Sequence, residues 1–207
     1  MKKLFIGFLL AALMPLSACG QMRWEEGTHY RVISDQATAK PEVIEFFSFW
    51  CPACNAFEPI VQDMKTRLGD DVKLTKVHVN FMQFASQEVQ DDVTRAMLVG
   101  RTLKDETRLN GAIFNYIHRQ RGAITNLTDV RNIFLVNGIE GEEFDKMVSG
   151  FSVNSLVRKN NKTIDDYRQH LNGVPNFIVN GKYQATFTRD MTPDDMVNLI
   201  VWLSQQK

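Results

Sequence analysis

The hydrophobic pattern changes period several times along this chain. Residues 42–49 read Glu-Val-Ile-Glu-Phe-Phe-Ser-Phe, a nearly continuous apolar run rich in β-formers that predicts a strand buried on both faces. Over 52–68 the period becomes helical. Phe57, Ile60, Val61, Met64 and Leu68 share one face, and Gly69 stops the run. Residues 72–81 then alternate Val72, Leu74, Lys76 against Lys73, Thr75, Val77, which predicts a second strand. Strand, helix and strand in succession predict a βαβ unit with parallel strands. Residues 28–34 are a candidate edge strand before it.

From about Ser86 to Leu171 the pattern is helical only. Val89, Val93 and Met97 form one apolar row, and Leu109, Ile113, Phe114 and Ile117 another. Further helices are expected over 130–136, 142–148 and 153–171. Gly100, Gly111, Gly122, Gly138, Gly141 and Gly150 punctuate the region, the first two at places where helices can continue through them. The β-pattern then returns. Asn176-Phe177-Ile178-Val179 is an apolar strand, Asn180-Gly181 a hairpin turn, and 183–187 the return strand. Thr192-Pro193 opens a last helix as N-cap and first helical residue, with Met196, Leu199, Ile200 and Leu203 on its apolar face. The fold class is α/β. Segments 28–84 and 172–207 make one sheet domain, interrupted by an all-helical insert over 85–171.

The N-terminus carries targeting information. Met1-Lys2-Lys3 is basic, and an apolar run follows from Leu4 to Leu16. It is shorter than the roughly 20 residues a membrane-spanning helix needs, so 1–18 reads as a secretory signal peptide. Leu16-Ser17-Ala18-Cys19 resembles the lipobox of bacterial lipoproteins. That resemblance implies cleavage before Cys19, a diacylglycerol on its sulfur, a tether over 19–27, and anchoring to a bacterial membrane.

Lipidation also resolves the cysteine count. The chain has 3 cysteines; with Cys19 acylated, only Cys51 and Cys54 remain. At this length a real hydrophobic core is available, so the chain is not a disulfide scaffold. The 24 basic and 24 acidic residues balance, and losing Lys2 and Lys3 with the leader leaves a slight acidic excess. No basic stripe or run of like charge supports nucleic-acid binding. No second C-x-x-C or H-x-x-x-H accompanies the cysteines, so neither a metal nor another cofactor is expected.

Cys51-Pro52-Ala53-Cys54 follows the buried strand directly and opens the helix. A sulfur there sits among unpaired backbone N–H groups at the positive end of the helix dipole, which favours thiolate over thiol. Pro52 suits the first turn because it has no N–H to leave unbonded. Cys51 is expected to be the exposed sulfur and Cys54, one turn in, the covered one. A purely structural disulfide is the alternative, but closing so short a loop gains little entropically.

The run Glu45-Phe46-Phe47-Ser48-Phe49-Trp50-Cys51-Pro52-Ala53-Cys54, together with Gly173-Val174-Pro175, resembles the DsbA-type thiol:disulfide interchange family of the thioredoxin superfamily. The resemblance extends over nearly all of the chain after the leader and implies a thioredoxin-like fold carrying a helical insert. It implies that Cys51 is the nucleophile, Cys54 its buried partner, and Pro175 a cis-proline facing them. Val174, with Pro52 and Ala53 between the cysteines, would meet substrate. Glu45 would be a buried acid able to relay a proton to or from Cys54, and its apolar neighbours on both parities agree with burial. The implied partners are unfolded or flexible exported proteins with thiols and a quinone-linked membrane oxidase that recharges the enzyme. A monomer in the periplasm is expected. At Ala53 the strongest oxidants of the family carry histidine. Alanine offers the thiolate neither a hydrogen bond nor a charge, which implies a less oxidising couple.

Two other functions remain open at this point. A periplasmic reductase or isomerase would use the same cysteines with opposite flux, but isomerases of this superfamily carry a dimerisation domain that the short segment before the first strand does not provide. A lipoprotein adhesin or binding-only chaperone would not need the pair. Glu58 reads as a solvated residue of the catalytic helix. Phe81, Met82 and Phe84 read as packing between the two parts, with a substrate groove as the alternative. His29, His78, His118 and His170 read as surface or satisfied core residues. Two glycosylation-like sequons, at Asn126 and Asn161, are accidental in a bacterial-type lipoprotein.

Overall fold

The computed structural model describes residues 24–206. The leader and Cys19 therefore lie outside the described residues. No helix among the described residues is long and apolar enough to cross a membrane.

A five-stranded sheet runs in the order β1 (Tyr30–Val32), β5 (Tyr183–Ala185), β4 (Asn176–Val179), β2 (Glu42–Phe47) and β3 (Lys73–His78). β2 and β3 pair in parallel, as the βαβ pattern requires, with α1 (Pro52–Leu68) crossing between them. β2 pairs antiparallel with β4, β4 with β5 and β5 with β1. The hairpin turn is formed by Asn180 and Gly181, both at positive φ (53° and 63°), the conformation a two-residue turn of this hand demands. Asn180 does more than turn the chain. Its Oδ1 accepts the N–H of Glu42, and its Nδ2 donates to the carbonyls of Leu203, Ser204 and Gln206, tying the turn to the end of the last helix.

α1 and α7 (Pro193–Ser204) cover one face of the sheet, burying Val43, Phe177 and Val179 against Val61, Met64, Leu199 and Ile200. α7 opens with a complete capping box between Thr192 and Asp195. On the other face Ile44, Phe46, Val77 and Ile178 pack against Ile164 of α6 (Phe151–Tyr167). Burying an aromatic side chain such as Phe46 completely contributes roughly 1.5–3 kcal/mol.

Between β3 and β4 come α2 (Gln87–Thr102), α3 (Glu106–His118), α4 (Leu127–Val136), α5 (Gly141–Val148) and α6, followed by a 3₁₀ turn at Arg168–His170. Gly100 and Gly111 do lie inside helices. The apolar cluster of these helices is continuous with Phe47, Phe49, Cys51 and Cys54. The cysteine pair thus sits on the seam where the sheet meets the helical layer.

Several boundaries differ from the sequence pattern. β2 ends at Phe47 rather than at residue 49, because Ser48, Phe49 and Trp50 leave the ladder to turn toward α1. β5 stops at Ala185, and β3 spans only Lys73–His78. In each case apolar character continues past the last ladder hydrogen bond, since the side chains still pack while the backbone turns away.

Candidate active site

The turn after β2 is built by Ser48. Its Oγ accepts the N–H of Trp50 at 3.3 Å and its carbonyl accepts the N–H of Cys51 at 3.1 Å. Cys51 then takes the N-cap position of α1 in extended geometry, with Pro52 at the start of the helix. An N-cap side chain normally accepts an N–H from the first turn, and serine or aspartate usually does this. Here the Cys51 sulfur does it, accepting the N–H of Cys54 at 3.3 Å. The same Sγ lies 3.4 Å from the carbonyl oxygen of Val174, to which the thiol donates. The Val174–Pro175 bond is cis, and the loop that carries it holds the backbone of residue 174 against the sulfur.

The two cysteines are unbridged. Cys54 is completely buried and Cys51 is 7% exposed. The order of exposure matches the sequence reading, but an openly exposed Cys51 does not. Val174 covers it, from a loop 123 residues away in sequence. Burial pushes the Cys54 thiol far above the ordinary range. The neighbouring Cys51 and the charge of Glu45 add to this, against the opposing hydrogen bond from the Ser48 backbone.

Beneath the cysteines lies an ionic triad, buried at Glu45 and Lys76 and partly open at Glu58. Parallel register sets Glu45 of β2 directly opposite Lys76 of β3, and Lys76 Nζ donates to Glu45 Oε2 at 2.6 Å. The same ammonium donates to Glu58 of α1 and stands 4.4 Å from the centre of the Phe47 ring. Glu45 is fully buried, and its Oε1 has no hydrogen-bond partner. Desolvation raises its pKa against the pull of Lys76, and the nearby Glu58 raises it further. Burial disfavours the charge on Lys76, yet the two carboxylates outweigh it and the lysine pKa is raised.

Two histidines approach the site from behind. His118, at the end of α3, bonds through Nε2 to the Phe49 carbonyl at 2.8 Å and so braces the loop leading to Cys51. His78 is buried among Phe47, Phe49 and Trp50, bonded to Thr94 through Nδ1 at 2.8 Å, with Nε2 unpartnered. Burial lowers its pKa to about 3. It is therefore a neutral ring at any working pH, only half satisfied where the sequence suggested a satisfied core residue.

The structure thus gathers Glu45, Cys51, Cys54, Val174 and Pro175 in one place, with Pro52 and Ala53 exposed on the helix tip. Cys19 lies outside the described residues. Sequence reasoning did not single out Lys76, and it placed Glu58 on a solvated face. Their recruitment follows from strand register, which pairs residues 45 and 76. Phe81 and Met82 are partly buried and pack against the core, whereas Phe84 is half exposed. Among the described residues no group of histidine, cysteine or carboxylate side chains could hold a metal.

The chain matches the family described as DSBA-like thioredoxin domain over residues 42–198. It is 33% identical to the thiol:disulfide interchange protein DsbA of Escherichia coli K12, over the full length of both chains. It superposes on the DsbA disulfide interchange protein of Klebsiella pneumoniae with a TM-score of 0.77 and 27% identity, covering 89% of this chain and 99% of that one. A Proteus mirabilis DsbA variant in complex with the non-covalently bound peptide PWATCDS gives a TM-score of 0.74 at 26% identity, over 89% of this chain and 97% of that one.

Proposed function

The chain belongs to the DsbA-like thioredoxin family and is a thiol:disulfide oxidoreductase, and from that premise we propose that it acts as an oxidase passing the Cys51–Cys54 disulfide to exported proteins. The observation that carries this reading is the inequality of the two sulfurs. Cys51 caps the helix tip beside the Val174 carbonyl, while Cys54 is sealed one turn inside.

The chemistry follows from that inequality. In the disulfide form a substrate thiolate attacks Cys51 Sγ, and the Cys51–Cys54 bond breaks with its electron pair leaving on Cys54. A thiolate is disfavoured in the buried environment of Cys54 and takes up a proton. Glu45, the buried carboxyl nearby whose pKa burial raises, relays that proton in this reading. A second substrate thiolate then attacks the substrate sulfur of the mixed disulfide, and Cys51 leaves with the electrons. The substrate departs with a disulfide and the enzyme as a dithiol.

Val174 and the helix tip at Pro52 and Ala53 form the substrate edge in this reading. The Proteus mirabilis DsbA that is described with a cysteine-containing peptide supports a flexible thiol peptide as the substrate class. A quinone-linked membrane oxidase would restore the disulfide. The protein works in the periplasm as a monomer held by lipid on Cys19. A Cys19→Ala chain is expected to lose the diacylglycerol mass by mass spectrometry and to move from the membrane to the soluble fraction. Retention on the membrane would remove Cys19 as the anchor.

One feature favours the opposite flux. Ala53 is exposed on the helix tip and supplies no donor to Cys51, so the reduced form lacks one source of stabilisation. Thiol alkylation in living cells decides between the two. A mostly oxidised Cys51–Cys54 pair is expected, and a mostly reduced pair would turn the assignment to a reductase.

A further inference from the structure

A cavity of about 460 Å³ lies between α1, β3, the α2–α3 turn and α6, with Lys76 and Glu58 in its lining. Its volume is that of a small-molecule site. Lys65, Lys73, Lys104 and Lys159 line it, and none has an ion-pair partner among the described residues. Of the other charges in the lining, Glu106 is matched by Arg101 and Asp105 by Arg108, while Glu58 shares Lys76 with the buried Glu45, which leaves one negative charge to set against the four lysines when all are ionised. The excess is cationic, and a concave surface of one sign concentrates counter-ions.

Two buried amides also line the cavity. Asn110 is 1% exposed, and neither its Oδ1 nor its Nδ2 has a partner. Asn160 is 5% exposed, with Oδ1 unpartnered. Buried side-chain amides nearly always find hydrogen bonds, so an amide with both ends unbonded beside a cavity calls for a ligand that supplies them. The positive end of α3 adds to the site. Glu106 and Thr107 line the cavity, and the N-cap Asp105 makes no capping bond because Arg108 holds its carboxylate.

We propose that this cavity binds a small phosphate-bearing anion, a diphosphate or a phosphate ester with a free hydroxyl. The cations available are lysines, point charges that suit a multiply charged tetrahedral group. The one arginine in the lining is already engaged by Glu106 and the Lys76 carbonyl, so it offers no free fork to a ligand. Both amide atoms of Asn110 are closed to solvent, so a bound ligand reaches them as the lining shifts, Nδ2 then donating to a phosphate oxygen and Oδ1 accepting from the hydroxyl. The site is separate from the sulfurs, and the inference does not depend on the direction of thiol exchange.

Titration calorimetry of inorganic pyrophosphate into the full chain tests it. Saturable binding is expected, roughly tenfold weaker in high salt than in low, because the lysines are exposed and screened. The Lys73→Glu/Lys104→Glu chain should bind about tenfold more weakly again while keeping its thiol exchange. Asn110→Leu should weaken binding severalfold without touching the surface charge, and its melting curve reports whether it folds. A second arm floats the protein with vesicles of anionic phospholipid. Flotation that needs Lys73 and Lys104, without pyrophosphate binding, supports the site and makes a lipid headgroup the source of the phosphate. Binding to neither probe, or binding unchanged in the lysine and asparagine variants, overturns the proposal.

Discussion

Replacing Cys51 by serine is expected to abolish disulfide transfer, whereas Cys54→Ser is expected to arrest the protein in mixed disulfides. An alcohol at position 51 cannot form the sulfur–sulfur bond to substrate, so no step of the exchange remains, and activity should fall by several orders of magnitude. Cys54→Ser keeps the Cys51 thiol but has no internal disulfide to donate, so its adducts form when the Cys51 thiolate attacks a disulfide already present in an exported protein and expels the second sulfur of that bond as a thiolate; the internal sulfur that would release the adduct is gone. Any adduct formed on Cys51 then persists until an external thiol resolves it. Cys51 is the sulfur that an incoming thiol can reach, since Cys54 has no exposed surface. Refolding of a reduced, cysteine-containing substrate measures the first variant. Non-reducing gels of cells carrying the second should show new high-mass bands that dithiothreitol removes. If Cys51→Ser retained transfer, or the trapped bands appeared in that variant instead, the roles of the two cysteines would be reversed.

The site was legible in the sequence where its logic is local. The two cysteines, the proline between them and the strand that delivers them are contiguous, and the change of hydrophobic period marks where strand gives way to helix. The turn at Asn180-Gly181 could be read for the same reason, because positive φ demands those residue types. What could not be read depends on contacts distant in sequence. Lys76 is an ordinary alternating residue until parallel register sets it against Glu45. Glu58 is an ordinary helix-surface glutamate until α1 docks and brings it to the same ammonium. The covering of Cys51 by Val174 likewise needs the closing of a loop that spans the entire helical layer. Hydrophobic period reports which face of an element is buried, but it carries no information on which residue of a neighbouring element lies opposite.

The ionic triad yields the second large effect, a contrast in stability between two substitutions. Two carboxylates share one ammonium, so the triad holds one negative charge in excess when all three members are ionised. Lys76→Met removes the cation of the triad and leaves Glu45 uncompensated in the dry interior, with Glu58 beside it at the cavity wall. Breaking a buried pair in this way costs about 3–5 kcal/mol. Glu45→Gln removes the excess instead and leaves Lys76 with Glu58, so it should be neutral or stabilising at neutral pH, because burial disfavours the charged form of Glu45 in the fold. The pH dependence separates them further. The folded-state pKa of Glu45 is raised above its unfolded value, so its contribution to stability is fully present below the unfolded value and is lost as pH rises through the folded one. The advantage of Glu45→Gln over the natural chain should therefore shrink on acidification and vanish below about pH 4.5, the ordinary carboxyl value. Lys76→Met should recover part of its loss over the same interval, as its stranded carboxylates take up protons. Urea unfolding of the reduced proteins from neutral pH down to that limit measures both trends. A Glu45→Gln chain as unstable as Lys76→Met would mean that Glu45 is a required partner of the lysine, and the excess-charge account would have to be abandoned.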